Sequence, residues 1–439
     1  MAGGTWTSQN KVRPGFYANT ESEGQSLGAM GERGVASIAL SLSWGDSKKI
    51  IPIEADTDVF TVLGYDITAS QLLLIKEALK RAKTLLLYRL NTGTKAAVTV
   101  GSLTATAKYG GVRGNDIKVV IVANIDDAAK FDVSTYVGTQ LVDQQKAVAN
   151  IAGLVSNAWV VFSGTGSLTA SAGAPLISGA DGTTTNADHT DYLAALELYE
   201  FQTAAYSGTD NTLKGVYAAF VRRLREDEGR KVQVVVENYP TADYEGVIAV
   251  KNGVVLTDGT TLTAAQAVAW VAAATAAAGP NQALTASQYD GAVDVSPRYT
   301  NTQITAALVA GEFLFTLSKG RAVVEQDINT FKSFTAKKGK VFRKNRALRA
   351  LDGLANDWKS NFESYHNGKT DNNANGRGLY RKDLVKIAGD YEGINAIQNF
   401  DPLADITVTP GDDGDAIYVE AGIQPVDAME KVYMKVRVR

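Results

Sequence analysis

Two histidines, His189 and His366, are the only imidazoles in the chain, so a serine–histidine–carboxylate site would have to be built on one of them. Both lie beside polar, linker-like sequence. The serine turn G-x-S-x-G is absent, because Gly164-Thr165-Gly166-Ser167-Leu168 lacks its closing glycine. Gly368-Lys369-Thr370 has the ending of a phosphate-cradling loop, but Glu363 stands where the first glycine is required. Gly28, Gly31 and Gly34 have the wrong spacing for a dinucleotide turn. Asp371-x-Asn373-x-Asn375-Gly376 matches the first half of a calcium loop, yet its twelfth position, which must supply a bidentate carboxylate, is Lys382. The acid pairs Asp126-Asp127 and Asp412-Asp413 lie in turn-like sequence, with nothing to make one member an acid and the other a base. The chain has no cysteine, which removes thiolate nucleophiles, thiolate metal sites and disulfides. These residues predict no catalytic site, no metal site and no cofactor. They point to a large interaction protein that is not an enzyme.

The composition agrees with that reading. Hydrophobic residues make up 45% of the chain and charged residues 21%, as in proteins that bury real cores, and 439 residues allow two to four domains. A formal charge of −3 is too near neutral to argue for nucleic acid, so only local charge can matter. Met1-Ala2-Gly3-Gly4-Thr5-Trp6 has neither the basic nor the apolar region of an export signal. No apolar run approaches the roughly 18 residues that span a bilayer. The expected location is the cytoplasm, unless the protein is carried out within an assembly.

Positioning elements follow from periodicity. Thr68-Ala69-Ser70-Gln71 has capping-box spacing and opens a helix with Leu72, Ile75, Leu79 and Ala82 on one stripe, ahead of a buried strand at 84–90. From Gly93 the texture changes to short β runs at 96–100, 118–123 and 159–163, separated by Gly-, Ser- and Thr-rich connectors, with a helix expected near 142–154. The low-complexity run Gly179–Asn186 ends this stretch, and helix-and-strand texture then resumes, so 93–187 reads as an inserted domain. Helices are expected around 190–206 and 212–228, then a strand at 231–236. Next come a hairpin pairing 246–250 with 254–256 and an alanine-rich helix at 264–278 closed by Gly279-Pro280. Ala322–Phe331 reads as a strand. Leu348, Leu351, Leu354, Trp358, Phe362 and Tyr365 form one apolar helical face, and strands at 406–409 and 417–421 flank an acidic turn. The fold class is mixed α/β and multidomain.

Two features remain without an internal use. Lys431–Arg439 alternates polar and apolar residues without a break, the period of a strand with one buried face. Its partner is an earlier strand of the same chain or the edge of a neighbour, by β-augmentation. Lys337, Lys338, Lys340, Arg343, Lys344, Arg346 and Arg349 form a run with no acid among them, either a solvated face or a match for an acidic partner.

The chain also resembles the tail sheath proteins of contractile-tailed bacteriophages, a family that extends to defective prophages and phage-tail-like bacteriocins. The likeness is carried by Gly3-Gly4-Thr5-Trp6 with Val12-Arg13-Pro14-Gly15, by Phe131–Tyr136 with Val142-Asp143-Gln144-Gln145, by Gly291–Val295, by Ala322–Phe331 and by Lys431–Arg439. It runs essentially from end to end. The resemblance implies an α/β sheath domain at 23–92 plus 188–335, with Ala322–Phe331 and the helix Ala347–Tyr365 in the core. It also implies an inserted β-rich outer domain at 93–187, a C-terminal tube-facing domain at 336–428, and extended linking arms at 1–22 and 429–439. Such proteins stack as six-fold rings around an inner tail tube, meet baseplate and tail terminator proteins, and contract to drive the tube through a cell envelope. They act in a virion or phage-tail-like particle assembled in the bacterial cytoplasm. On that footing Trp6, Val12, Arg13, Pro14, Phe16 and Tyr17, with Val432, Met434, Val436 and Val438, are assigned to linkage between subunits. The basic residues Lys337 to Arg349 are assigned to a surface facing an acidic tube. The energy is stored in the assembly, so no nucleotide site is needed, and neither nucleic acid nor membrane insertion is implied. The alternatives are a surface-layer or adhesin-type self-assembling protein, which would need an export signal, or a hydrolase with a dispersed site.

Overall fold

Runs such as Leu85-Leu86-Leu87 and Val234-Val235-Val236 are apolar at every position, which marks strands covered on both faces. In the computed structural model, which describes residues 2–4, 15–17 and 31–438, these runs lie in the middle of a seven-stranded sheet. Its spatial order is Glu312–Phe313, Val247–Val250, Gln233–Glu237, Thr203–Tyr206, Val35–Leu40, Thr84–Arg89 and Ile50–Ile53. Every neighbouring pair is parallel except the edge strand Ile50–Ile53, which runs antiparallel to Thr84–Arg89. The sheet therefore grows outward in both directions from Val35–Leu40.

Because successive side chains of a strand point to opposite faces, neighbouring residues feed different cores. Leu85, Leu87 and Val235 face the alanine-rich helix Ala264–Ala277, while Leu86, Tyr88, Val234 and Val236 face the helices Asn186–Leu196 and Asn211–Glu226. The alanine-rich helix is buried continuously from Ala267 to Ala276. A helix apolar all round must be enclosed. Here the sheet covers one side, and the helix Leu73–Leu79 and a small sheet containing Gly253–Leu256 cover others. A capping box of Thr263 and Gln266 starts it.

Between Gly93 and Asp181 the chain forms its own unit of two antiparallel sheets. One is ordered Gln140–Val148, Phe131–Val137, Ile117–Ala123 and Ser171–Pro175, and the other Val160–Gly164, Leu103–Ala107 and Ala97–Val100. Ile117, Val119, Ile121, Val133, Leu103, Ala105 and Val160 fill the space between them. The entering strand Gly93–Thr94 pairs with the leaving strand Ala180–Asp181, so the unit hangs on one narrow ribbon. A Cβ on Gly110 would lie 2.1 Å from Gly93 O, so only glycine permits that approach. Buried Arg89 braces the junction by donating to Gly45 O at 2.8 Å and Gly110 O at 2.6 Å. Trp44, from the main sheet's side, is fully buried in the insert's core and stacks on Trp159 at 5.0 Å.

After residue 336 the helices Asn345–Asn361 and Ala374–Gly393 pack together through Leu354, Leu384, Ile387 and Tyr391, with the hairpin Ile406–Pro410/Ile417–Ala421 against the second helix. A π-helical turn, Phe362–His366, ends the first helix.

Several sequence expectations give way to tertiary context. Residues 140–148 form an edge strand, followed only by a short 3₁₀ turn at Ile151–Gly153, in place of the helix expected at 142–154. The helix expected at 190–206 stops at Leu196, and Thr203–Tyr206 is a strand whose four residues are all buried. The two arms of the expected hairpin part company. Val247–Val250 joins the large parallel sheet, while Gly253–Leu256 pairs with Thr261–Leu262 and Ala292–Ser296. Strand 321–324 ends at Val324, because Asp327, Asn329 and Thr330 are buried polar groups that leave the ladder for other partners. Thr68–Gln71 opens on a 3₁₀ turn, Ser70–Leu72, without a side-chain cap.

Trp44→Ala removes the ring that the main body lends to the insert. A buried tryptophan truncation costs about 3–5 kcal/mol, so scanning calorimetry is expected to show the insert's transition falling by several degrees ahead of the main-sheet transition.

Candidate assembly interface

The residues singled out for chemistry have structural occupations. His189 Nδ1 is 2.9 Å from Tyr217 Oη, and the ring meets Tyr206 edge-on in a buried aromatic cluster. Burial depresses its pKa, favouring the neutral ring. His366 lies between Thr370 Oγ1 and Asp383 Oδ2, each at 3.0 Å, with Tyr380 edge-on. This row ties the turn after the π-helix to the helix Ala374–Gly393. Asn373 Oδ1 accepts from Gly376 N at 2.9 Å, and Asn372 Nδ2 donates to the carbonyls of Gly414 and Ala416. The calcium-like run is thus a helix cap and a hairpin tie. Among the described residues, no group of three or more His, Asp or Glu is placed to hold a metal, and no helix is long and apolar enough to cross a membrane.

The basic run divides into two sets. Arg349 is buried: Nη2 lies 3.2 Å from Asp327 Oδ2, with both side chains 1% exposed, and Nη1 donates to Gln282 O. That corrects its assignment to a tube-facing surface. Lys338 pairs with Glu245 and sits near the rings of Tyr244, Phe331 and Phe342, and Lys344 pairs with Glu430. Lys337 and Lys340 are exposed, and Arg343 and Arg346 are half-buried. The Nε atoms of Arg343 and Arg346 are buried without a hydrogen-bond partner. Burial draws the Arg343 pKa below its usual value.

The internal set belongs to a charged clasp between the main sheet and the helix Asn345–Asn361. Arg225 donates to both oxygens of Asp352, at 2.6 and 2.8 Å, with its side chain 4% exposed and Glu245 4.0 Å away. Burial alone would lower the Arg225 pKa, and the Asp352 charge more than reverses this. Beside it, Asp327 accepts from Asn345 Nδ2 at 2.9 Å and from Leu284 N at 2.9 Å, and Asn345 Oδ1 accepts from Gln233 and Asn329. No sequence motif announces these partners, since Arg225 and Asp352 are 127 residues apart.

The arms leave from this same region. Gly31 N donates to Asp357 Oδ1 at 3.0 Å, and Arg33 Nε to Ala278 O at 2.8 Å. Residues Ala2–Gly4 pair in parallel with Gly15–Tyr17, which places the backbones of Phe16 and Tyr17 in a short strand. Trp6, Val12, Arg13 and Pro14 lie outside the described residues. At the other end, residues 431–438 form no strand with any described part of the chain. Val432, Met434, Val436 and Val438 are 75–95% exposed. Among the described residues, this stretch is not a closing strand of any sheet. Glu430, just before it, accepts from Thr285 Oγ1 at 2.8 Å and Gln326 Nε2 at 2.7 Å and pairs with Lys344. Half-burial would raise its pKa, but these donors hold it below the usual value. Sequence reading passed over Glu430 because its partners lie 86 to 145 positions away, at Lys344, Gln326 and Thr285.

With this geometry in view, the chain was compared with known proteins. It matches the phage tail sheath protein β-sandwich domain over residues 91–181, the central domain over 182–330 and the C-terminal domain over 337–439. Residues 33–90 match the N-terminal region of domain III of the tail sheath protein Gp18. It is 59% identical to a sheath tail protein of Desulfitobacterium hafniense whose crystal structure superposes with a TM-score of 0.87, covering 97% of this chain and 100% of that one. It is 40% identical to the phage-like element PBSX protein XkdK of Bacillus subtilis, over the full length of both. The helical sheath of the anti-feeding prophage in its contracted state shares the fold at 12% identity, with a TM-score of 0.57 and coverage of 97% and 99%.

Breaking the clasp from one side should be costly. Arg225→Met leaves Asp352 buried without its cation, and losing one partner of a buried pair costs about 3–5 kcal/mol. Urea unfolding of Arg225→Met is expected to show that loss, and the double variant Arg225→Met/Asp352→Leu to recover most of it.

Proposed function

The chain belongs to the phage tail sheath family, and we propose that it polymerises as stacked six-fold rings around an inner tail tube and contracts to drive that tube through a target cell envelope. Its coarser role follows from the family: a structural subunit of a phage tail or phage-tail-like sheath particle. The finer reading is supported by one observation above the rest. Residues 431–438 alternate apolar and polar, are exposed on both faces and pair with no described strand of their own chain. A strand with a dry face in its sequence and none in its structure is unfinished until another backbone completes it. The partner in this reading is a second copy. A head-to-tail contact of this kind does not close on itself and so generates a helix. The N-terminal arm, with Trp6, Val12, Arg13, Pro14, Phe16 and Tyr17, is the other linking strand.

The tube-facing surface is narrower than the basic run that suggested it. Arg349, Lys338 and Lys344 are committed to Asp327, Glu245 and Glu430, which leaves Lys337, Lys340, Arg343 and Arg346 for an acidic partner. The insert faces outward in this reading, since its own sandwich core leaves the pairing of the main sheet independent of it. Baseplate and tail terminator proteins are further partners at the two ends, and assembly takes place in the bacterial cytoplasm.

Two measurements test the reading. Negative-stain electron microscopy of the full chain is expected to show tubes, and a chain ending before Lys431 only dispersed particles. Tubes from both would remove the terminal strand as the linker. Charge reversal by Lys340→Glu and Arg343→Glu is expected to abolish co-sedimentation with tail tubes at low salt while leaving the thermal midpoint in place. Retained attachment would assign the tube contact elsewhere.

A further inference from the structure

Among the described residues, Glu430 is the last to be held by the rest of the chain. Its carboxylate collects three donors from three segments: Thr285 Oγ1 at 2.8 Å, Gln326 Nε2 at 2.7 Å, and Lys344 Nζ, which also lies 3.8 Å from Asp427 Oδ2. Upstream, the backbone is last fixed at Val426, whose N–H donates to Ala396 O at 3.0 Å, next to the pairing of Gln424–Pro425 with Ile397–Gln398. Between these ties, Asp427–Met429 borders a hollow of about 530 Å³ lined by Gln326, Lys340, Val341 and Lys344. Met429 is 95% exposed.

The seat outlasts its occupant. Thr285 Oγ1 also accepts from Asp327 N at 2.9 Å, so the hydroxyl stays oriented within the clasp whether or not Glu430 is present. Lys344 lies at the start of the helix Asn345–Asn361, and that helix is fixed by Asp352 and Arg349. When Glu430 leaves, only one side chain and three residues of backbone change course. Rebinding meets donors that are already in place, which keeps its entropy cost small.

We propose that Glu430 is a releasable hitch that sets how much of the C-terminal arm can reach a second copy of this chain. Hitched, the free arm begins at Lys431. Released, it gains Ala428–Glu430, roughly 10 Å at about 3.3 Å per extended residue, and a fourth residue once Asp427 gives up its 3.8 Å contact with Lys344 Nζ. Tension on the arm meets the Glu430 carboxylate first, because no described residue beyond it is held, and only then the longer contact of Asp427 with Lys344. The inference rests on the arm linking copies, as proposed above.

The absence of cysteine allows a clean test, since a single introduced thiol is the only labelling site. A nitroxide on Met429→Cys reports the root and one on Met434→Cys reports the arm, both in the full chain. In the unassembled protein the root label is expected to tumble several-fold more slowly than the arm label. Glu430→Gln, and independently Lys344→Met, should bring the root label to the rate of the arm label, with the thermal midpoint unchanged. A root label as fast as the arm label in the parent chain overturns the hitch, as does one that stays slow in both variants. The linkage reading is scored apart from this, in assembled material. If the labels behave as expected but a chain ending before Lys431 still forms tubes, the reach to a second copy is overturned while the hitch itself stands.

Discussion

The structure depends on charges buried where the helix Asn345–Asn361 meets the main sheet. Arg349 and Asp327 are almost fully shielded from water, and Arg225 with Asp352 largely so; Asn345 Nδ2 donates to Asp327 and its Oδ1 accepts from Gln233 and Asn329. Buried pairs of this kind add little net stability, because desolvation offsets most of the attraction. They do impose a register. A helix held only by leucines can slide by a turn at small cost, whereas one that carries an arginine and an aspartate to fixed partners cannot. The helix Asn345–Asn361 positions Lys344 and the basic residues before it, and through Glu430 it positions the root of the C-terminal arm. The candidate partner surfaces inherit their geometry from this clasp.

The insert is joined by a different logic. It closes its own sandwich and meets the main body through a two-residue ribbon, a glycine contact, Arg89 and the borrowed ring of Trp44. Such a junction transmits orientation while leaving the seven-stranded sheet complete without it. A sandwich with its own core can change its surface without altering the sheet that orders the rest, which suits an outward position in a sheath.

The arms are the converse case. Val432, Met434, Val436 and Val438 leave their side chains in water, and burying such a side chain fully yields about 1.5–3 kcal/mol. In the proposed assembly that stabilisation is collected between copies, together with the backbone bonds of a completed ladder. Backbone pairing tolerates rotation and displacement of the bodies it joins better than a packed interface does, because flexible chain lies between. The chain thus combines a rigid clasp with loose ends, and the Glu430 carboxylate stands at their boundary.

Much of this was legible in the amino-acid order. The run at 84–90 marked a buried strand, that at 231–236 a strand, and the alanine run at 264–278 a helix, since each pattern is local and has one physical solution. The scattered likeness from Gly3 to Arg439 marked the family, whereas the unbroken alternation after Glu430 has the period of a strand but forms none with the described chain. Tertiary structure decided what depends on partners distant in sequence. Thr203–Tyr206 became a strand because a slot in the parallel sheet outweighed the helical texture around it. Gly253–Leu256 left its sequence neighbour for Ala292–Ser296, and Gln140–Val148 took the edge of a sandwich. The seven basic residues looked equivalent as a sequence. Folding buried Arg349 against Asp327 and engaged Lys338 and Lys344 with Glu245 and Glu430, because an unpaired buried charge is too costly to leave. Composition and periodicity determined that this chain builds layered domains and carries an alternating stretch that its own described sheets do not use. The pairing of distant charges alone decided which of its cations remain free to meet a partner.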